Sequence, residues 1–247
     1  MMITLRPHQL KGQEAMDKND IGQVIVPTGG GKTYIMIHDA IKQFNRPDAQ
    51  TIVVVAPRIL LANQLCAEFT EFITDVEVAH VHSGETHYFS TTKASRISVW
   101  SAKNCAFNQI IFTTYHSLHK VIDSGIHVDT IYFDEAHNGT QKNFFEAVKG
   151  ITADRKYYFT ATPKMSKSGA ENGMGNSKVW GQVICNVPAK TLIDTGAILP
   201  PKVVPFPTNR VRNKDNAHDV DADNLQDMID SLDDGNHKIL VSAPSSK

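Results

Sequence analysis

Cysteine is scarce in this chain. The three present, Cys66, Cys105 and Cys185, are widely spaced and belong to no paired zinc or redox motif, which excludes a disulfide framework and makes a reducing intracellular compartment the natural setting. No apolar run approaches the length of a membrane span, and residues 1–16 are too charged and too poor in apolar residues for a secretory signal. A basic excess is missing as well. Lys and Arg number 25 against 26 Asp and Glu, leaving a net charge of −1 and a pI near 6.8. Broad electrostatic attachment to an anionic partner is thereby excluded, and any such contact has to come from a local groove. No internal repeat is visible. His80, His82 and His87 fall on an alternating, strand-like segment and His116 and His119 at a helix start; neither group reads as a set of metal ligands.

What the chain does have is alternation. With 247 residues, 41% hydrophobic and 21% charged, it is long enough for one substantial core and the start of a second domain. Gln23–Val26, Thr51–Ala56, Val76–His82, Gln109–Thr113, Val128–Phe133 and Lys156–Thr160 are strand-like, with helical stretches between most of them. Tyr34–Phe44, for instance, carries Ile35, Ile37, Ile41 and Phe44 at near-helical spacing. Such alternation predicts an α/β fold, a mostly parallel sheet covered by helices on both faces.

Between the first strand and the first of these helices stand Val26, Pro27, Thr28, Gly29, Gly30, Gly31, Lys32 and Thr33. Consecutive glycines let the backbone adopt conformations closed to residues with a Cβ, so that successive N–H groups turn inward toward phosphate oxygens while the helix behind points its positive end the same way. In this phosphate loop Lys32 reaches the β- and γ-phosphates and the Thr33 hydroxyl ligates magnesium. One position departs from the G-x-x-x-x-G-K-T spacing: Val26 stands where the first glycine belongs. A second signal, Asp134, Glu135, Ala136 and His137, follows the apolar run Thr130–Phe133. Carboxylates at the end of a buried parallel strand sit at the carboxyl edge of the sheet, where open α/β folds bind ligands. Asp134 is expected as the magnesium partner and Glu135 as the residue that orients or deprotonates the attacking water.

With both signals in one chain, the sequence resembles the N-terminal motor lobe of a superfamily 2 helicase, of the DEAH-box or restriction-translocase-like kind. The resemblance runs in order along most of its length. Leu5, Arg6, Pro7, His8 and Gln9 resemble the adenine-reading motif, which implies that Gln9 bonds the base and Arg6 supports it. Val26–Thr33 is similar to motif I. Ala56–Gln64 resembles motif Ia and Thr113–Leu118 motif Ib, which implies nucleic-acid backbone contacts at Pro57, Arg58, Gln64, Thr114 and Ser117. Asp134–His137 is similar to motif II. Thr160, Ala161, Thr162 and Pro163 resemble motif III, so Thr160 and Thr162 are implied to couple the nucleotide site to the strand. Each lesser motif also has a plainer reading when taken alone. Arg6 and Gln9 are then exposed polar residues ahead of a helix, Arg58 and Gln64 a solvated face, Thr114 and Ser117 capping hydroxyls, and Thr160 and Thr162 a strand-to-turn transition.

The resemblance implies a RecA-like ATP-binding lobe over residues 1–165, with ATP and magnesium as ligands. Residues 166–208 are expected as loop and connector: Ser166–Ser177 is rich in Ser, Gly and Asn, and five prolines follow, Pro188, Pro200, Pro201, Pro205 and Pro207. Residues 209–247 are expected to begin a second RecA-like lobe, with a helix near Leu225–Leu232 and a strand at Lys238–Ser242. Nothing in the chain matches motifs V and VI, so it reads as a fragment, weak or inactive by itself, because the arginine fingers that speed such hydrolysis roughly 10³- to 10⁵-fold are missing. The function implied is ATP-dependent, sequence-nonspecific helicase action, with DNA favoured over RNA because motifs I and Ia look like those of recombination and restriction motors. A few phosphate contacts would give a salt slope of roughly 0.7 per contact on a single strand. The alternatives are a duplex DNA translocase that does not unwind, of restriction or remodeller type, and a non-catalytic nucleotide-binding module. A small-molecule P-loop kinase is disfavoured, since such enzymes do not show motifs Ia, Ib and III.

Overall fold

The structure is a computed structural model, and it describes residues 4–166, 170–200, 209–211, 213 and 215–231. The chain divides after Leu199 into two compact units. In the first, α1 (Pro7–Asp17) leads into β1 (Ile21–Ile25), α2 (Lys32–Phe44), β2 (Thr51–Ala56), α3 (Ile59–Phe72), β3 (Glu77–Val81), β4 (Phe89–Ser90), α4 (Ala94–Lys103) and β5 (Gln109–Thr114). Then come α5 (Leu118–Asp123), β6 (Thr130–Phe133), a 3₁₀ turn (Ala136–Thr140), α6 (Lys142–Gly150), β7 (Arg155–Thr160), α7 (Ser177–Trp180), β8 (Gln182–Asn186) and α8 (Ala189–Asp194).

The strands form one sheet in the order β4-β3-β5-β2-β6-β7-β1-β8, and every pairing among them is parallel. The central strands bury both faces, which is why they read as continuous apolar runs: Ile52, Val53, Val54, Val55 and Ala56 of β2 are all fully buried. Alternate residues serve opposite layers. Ile52, Val54 and Ala56 pack with Met16 of α1, Ile35 and Met36 of α2, and Leu65 and Phe69 of α3. Val53 and Val55 pack with Ile97 and Trp100 of α4, Leu118 of α5, Phe145 of α6 and Trp180 of α7. The α/β class expected from the alternation is the fold observed, a RecA-like parallel sheet.

The sheet continues past residue 165. The stretch expected as loop and connector contributes β8, whose Gln182–Asn186 backbone pairs with β1. The approach is close, since a Cβ on Gly22 would lie 2.4 Å from Ile184 Cγ2. The neighbouring prolines masked this short strand, and a glycine inside β1 was the sequence signal for it. Described residues of the Gly- and Asn-rich stretch before it are also packed in. Met174 is buried, its carbonyl accepts a 2.9 Å bond from Gln23 Nε2, and Asn172 Nδ2 donates to Thr140 O at 2.6 Å. β1 also begins two residues earlier than its apolar run.

In the second unit, α9 (Ala217–Asp230) starts well before the expected Leu225, and Arg210 pairs with Asp227 on it. The strand expected at Lys238–Ser242 lies outside the described residues. No helix among the described residues is long and apolar enough to cross a membrane.

At the β3 edge, Gly84 N–H donates to His82 Nδ1 at 3.1 Å, and His82 Nε2 lies 2.8 Å from His80 Nδ1. Burial, reinforced by the neighbouring His82, pushes the His80 imidazole down to about 4. A histidine held below its unfolded value contributes stability above about pH 6.5, and that contribution is lost as pH falls toward 4. The full loss for a shift of this size is about 3 kcal/mol. Urea midpoints measured at pH 7.5 and 4.5 are therefore expected to fall further apart in the wild type than in His80→Phe, and equal spacing in the two proteins would refute the account.

Candidate nucleotide site and nucleic-acid edge

Because the pairings are parallel, the carboxyl ends of β1, β2, β5, β6 and β7 lie along one edge. Each of the motifs expected after a strand leaves the sheet there.

The glycine loop follows β1. Val26 N–H donates to Thr160 O at 3.0 Å and Gly30 N–H to Pro27 O at 2.9 Å, closing a tight turn. Gly29 (φ +79) and Gly31 (φ +77) are left-handed, and Gly31 is the residue immediately ahead of α2. These are backbone conformations in which a Cβ is strained. Val26, the departure from the usual spacing, is fully buried beneath the loop, and a Cβ on Gly30 would lie 2.5 Å from its Cγ1. The valine is accommodated because Gly30 has no side chain. Thr28 is exposed, while Pro27, Lys32 and Thr33 are half-buried.

The start of α1 is fastened to this loop. Gln9 Oε1 accepts from Arg6 N–H at 2.8 Å, and Gln9 Nε2 donates to the carbonyls of Gly30 and Gly31 at 3.2 and 3.4 Å. The Arg6 side chain is exposed and Gln9 is buried. His8, given no role by the sequence reasoning, places Nε2 2.8 Å from Gly30 O. A carbonyl only accepts, so Nε2 carries the proton. Its signal was the position itself, next to Gln9 at the first turn of a helix beginning with Pro7.

After β6 the chain turns sharply. Glu135 has φ +45, the one positive value outside glycine among the described residues, and a non-glycine residue held there is strained. The turn delivers Glu135 Oε1 to 3.1 Å from Lys32 Nζ, so the two sequence signals converge. Glu135 Oε2 lies 3.5 Å from His137 Nδ1, which is 3.0 Å from Thr160 Oγ1. That hydroxyl oxygen in turn accepts from Thr162 N–H at 3.1 Å. Asp134 is anchored through its backbone, its N–H donating to Val55 O at 2.8 Å and its carbonyl accepting from Tyr115 OH at 2.9 Å. Burial, with the charge of Glu135 beside it, pushes the Asp134 carboxyl up to about 6, against the opposing pull of Lys32.

Along the same edge, Pro57 is half-buried and Arg58 is exposed at the start of α3. Gln64 is exposed and donates to Glu68 at 2.8 Å. Ser117 precedes α5 without a side-chain capping bond, and Thr114 is 4% exposed, so it offers the least surface of the five.

The family described as Type III restriction enzyme, res subunit, matches residues 2–165. Among solved structures, a nuclease-deletion mutant of the Type ISP restriction-modification enzyme LlaGI in complex with a DNA substrate mimic is 20% identical with a TM-score of 0.66, over 79% of this chain and 21% of that one. The SWI2/SNF2 ATPase core of Sulfolobus solfataricus in complex with dsDNA is 20% identical with a TM-score of 0.50, over 72% of this chain and 36% of its own. The Hef helicase domain of Pyrococcus furiosus is 18% identical with a TM-score of 0.54, over 73% and 39%. This chain therefore spans well under half the length of each, and likenesses of this identity speak to the fold. The match over residues 2–165 takes in the glycine loop, the acidic turn and the strands between them, and by it the chain belongs to the family of Type III restriction enzyme res subunits, a superfamily 2 helicase-type ATPase family.

Proposed function

We propose that the chain is the ATP-binding lobe of a motor that couples ATP hydrolysis to movement along DNA. The observation that carries the reading is the 3.1 Å approach of Lys32 to Glu135, which brings the phosphate-binding and water-activating signals into one site. Left-handed Gly29 and Gly31 turn backbone N–H groups toward the phosphates, and Lys32 supplies a positive charge for the β- and γ-phosphates. Thr33 and Asp134 offer a hydroxyl and a carboxylate, the hard oxygen donors that magnesium takes. When bound, that ion neutralises charge on the phosphates. Glu135 orients or deprotonates the attacking water, and the contacts running from Glu135 through His137 to Thr160 and Thr162 carry its state toward the edge where Arg58, Pro57, Gln64, Thr114 and Ser117 meet the strand. Gln9, with Arg6 behind it, reads the base.

A second reading, translocation on duplex DNA without unwinding, is favoured by the family's description as a restriction subunit. In the full-length protein, displacement of a triplex-forming strand without separation of a fork would support it.

The first test is a titration with ATP and magnesium. Lys32→Ala is expected to weaken nucleotide affinity at least tenfold, with magnesium enhancing binding only in the wild type. Equal affinity in the two proteins would defeat the assignment of the site.

A further inference from the structure

A second concave site lies at the β3–β4 end of the sheet, between α3 and the loop leading to β4. Its volume is about 1040 Å³, and Asn63, Glu71, His80, Glu85 and Tyr88 are among the residues lining it. Two polar atoms on its wall are buried and have no hydrogen-bond partner among the described residues, His80 Nε2 and Asn63 Oδ1. His80 is 1% exposed. A buried polar atom without a partner costs free energy, and two of them lining one cavity are places where a ligand's polar groups would find partners.

Their hydrogen-bonding sense is fixed. The Gly84 N–H donates to His82 Nδ1, so the neutral His82 ring carries its proton on Nε2 and donates it to His80 Nδ1 at 2.8 Å. His80 therefore bears its own proton on Nε2. Its partner has to be an acceptor, whereas the partner of Asn63 Oδ1 has to be a donor. The wall is also aromatic: Tyr88 stacks on His80 with ring centroids 5.9 Å apart and planes 16° from parallel. Tyr88 is 44% exposed, and exposed side chains change rotamer in pico- to nanoseconds, so its ring is free to swing out and admit another. With Glu71 and Glu85 on the wall beside His87, and neither Lys nor Arg, the cavity disfavours a phosphate and admits an uncharged ring. A nucleobase is one planar heterocycle that offers a donor and an acceptor together.

Location supplies the source. Asn63 lies five residues beyond Arg58 on α3, a rise of roughly 7 Å, and an extended strand needs about one nucleotide to cover that distance. We propose that this cavity takes up one unpaired base of the nucleic-acid strand lying along the carboxyl edge, an inference that rests on the strand-binding reading above. The base stacks with Tyr88, accepts from His80 Nε2–H and donates to Asn63 Oδ1. Recognition of this kind tolerates any base that offers both groups, in keeping with a strand bound without regard to sequence.

The test compares oligo(dT) with an all-abasic strand of equal length, so that sliding the register cannot hide the effect. The wild type is expected to prefer oligo(dT), and stacking of one base is worth roughly fivefold or more. Tyr88→Ala and Asn63→Leu are each expected to lose that share of the preference while binding the abasic strand as the wild type does. A preference of the same size in all three proteins overturns the proposal. Thymidine alone, followed through the His80 imidazole resonances, separates the two readings. A shift in the wild type that Tyr88→Ala abolishes, in a protein that binds neither strand, upholds the base site and removes the strand-binding reading. The absence of any shift with thymidine, together with no strand preference, removes the base site, as does an equal shift with free ribose.

Discussion

Replacing Glu135 by Gln is expected to slow ATP hydrolysis by roughly 10²- to 10⁴-fold, the contribution of a positioned acid or base, while nucleotide binding persists. The amide keeps the shape of the side chain and loses its ability to accept a proton from water. It also loses the charge that faces Lys32 Nζ at 3.1 Å and His137 Nδ1 at 3.5 Å. Lys32 loses its nearest anionic partner and keeps Asp134 nearby, so affinity for the triphosphate should hold or rise. The measurement is steady-state phosphate release by the full-length protein, with and without DNA, beside a nucleotide titration of the same variant. Unchanged turnover would place catalysis elsewhere. Unchanged cellular function despite lost turnover would favour a nucleotide-binding module that does no motor work.

The strained backbone at Glu135 sharpens this experiment. At φ +45 an asparagine or glycine is accommodated more readily than glutamate. A strained backbone at this position supports the proposal that Glu135 acts through its side chain.

Much of this arrangement is legible in the residues because the underlying physics is local. β2 shows both its ends at Thr51 and Ala56, since a strand buried on both faces has to be apolar throughout. The glycine loop is equally plain: glycine takes the left-handed turns at positions 29 and 31 without strain. What could not be read depends on partners distant in sequence. β8 is a strand because Gly22 leaves room for Ile184 beside β1, and nothing within Gln182–Asn186 announces that neighbour. For His8 the sequence shows the position but not the partner, a carbonyl 22 residues away. The sequence points Gln9 at a base, whereas the fold commits its amide N–H to the loop carbonyls of Gly30 and Gly31. The left-handed turn at Glu135 has no sequence signature either, since no glycine or asparagine marks it.

The largest effect on stability is expected from Asp39, which lies two turns along α2 from Lys32 and is fully buried. Arg155 of β7 grips its carboxylate with both terminal nitrogens, at 2.9 and 3.0 Å. Tyr132 of β6 donates to it at 2.6 Å, Gln13 of α1 at 3.1 Å and Gln43 at 3.3 Å. One carboxylate thus joins the helix that begins with Lys32 and Thr33 to the strand that leads into Asp134. Asp39→Ala removes the anion and leaves the Arg155 guanidinium buried against the Tyr157 ring, 4.9 Å from its centroid, without the carboxylate it is bonded to. Breaking a buried pair from one side costs roughly 3 to 5 kcal/mol, a large part of the stability of an ordinary domain. The urea midpoint of Asp39→Ala is expected to fall accordingly, with the slope of the transition unchanged. Asp39→Leu combined with Arg155→Met removes both charges at similar volume and should recover most of the loss, because the penalty comes from the orphaned charge rather than from the missing attraction. A double variant as unstable as Asp39→Ala would mean that the bonds to Tyr132 and Gln13, and not the ion pair, hold α2 against the sheet.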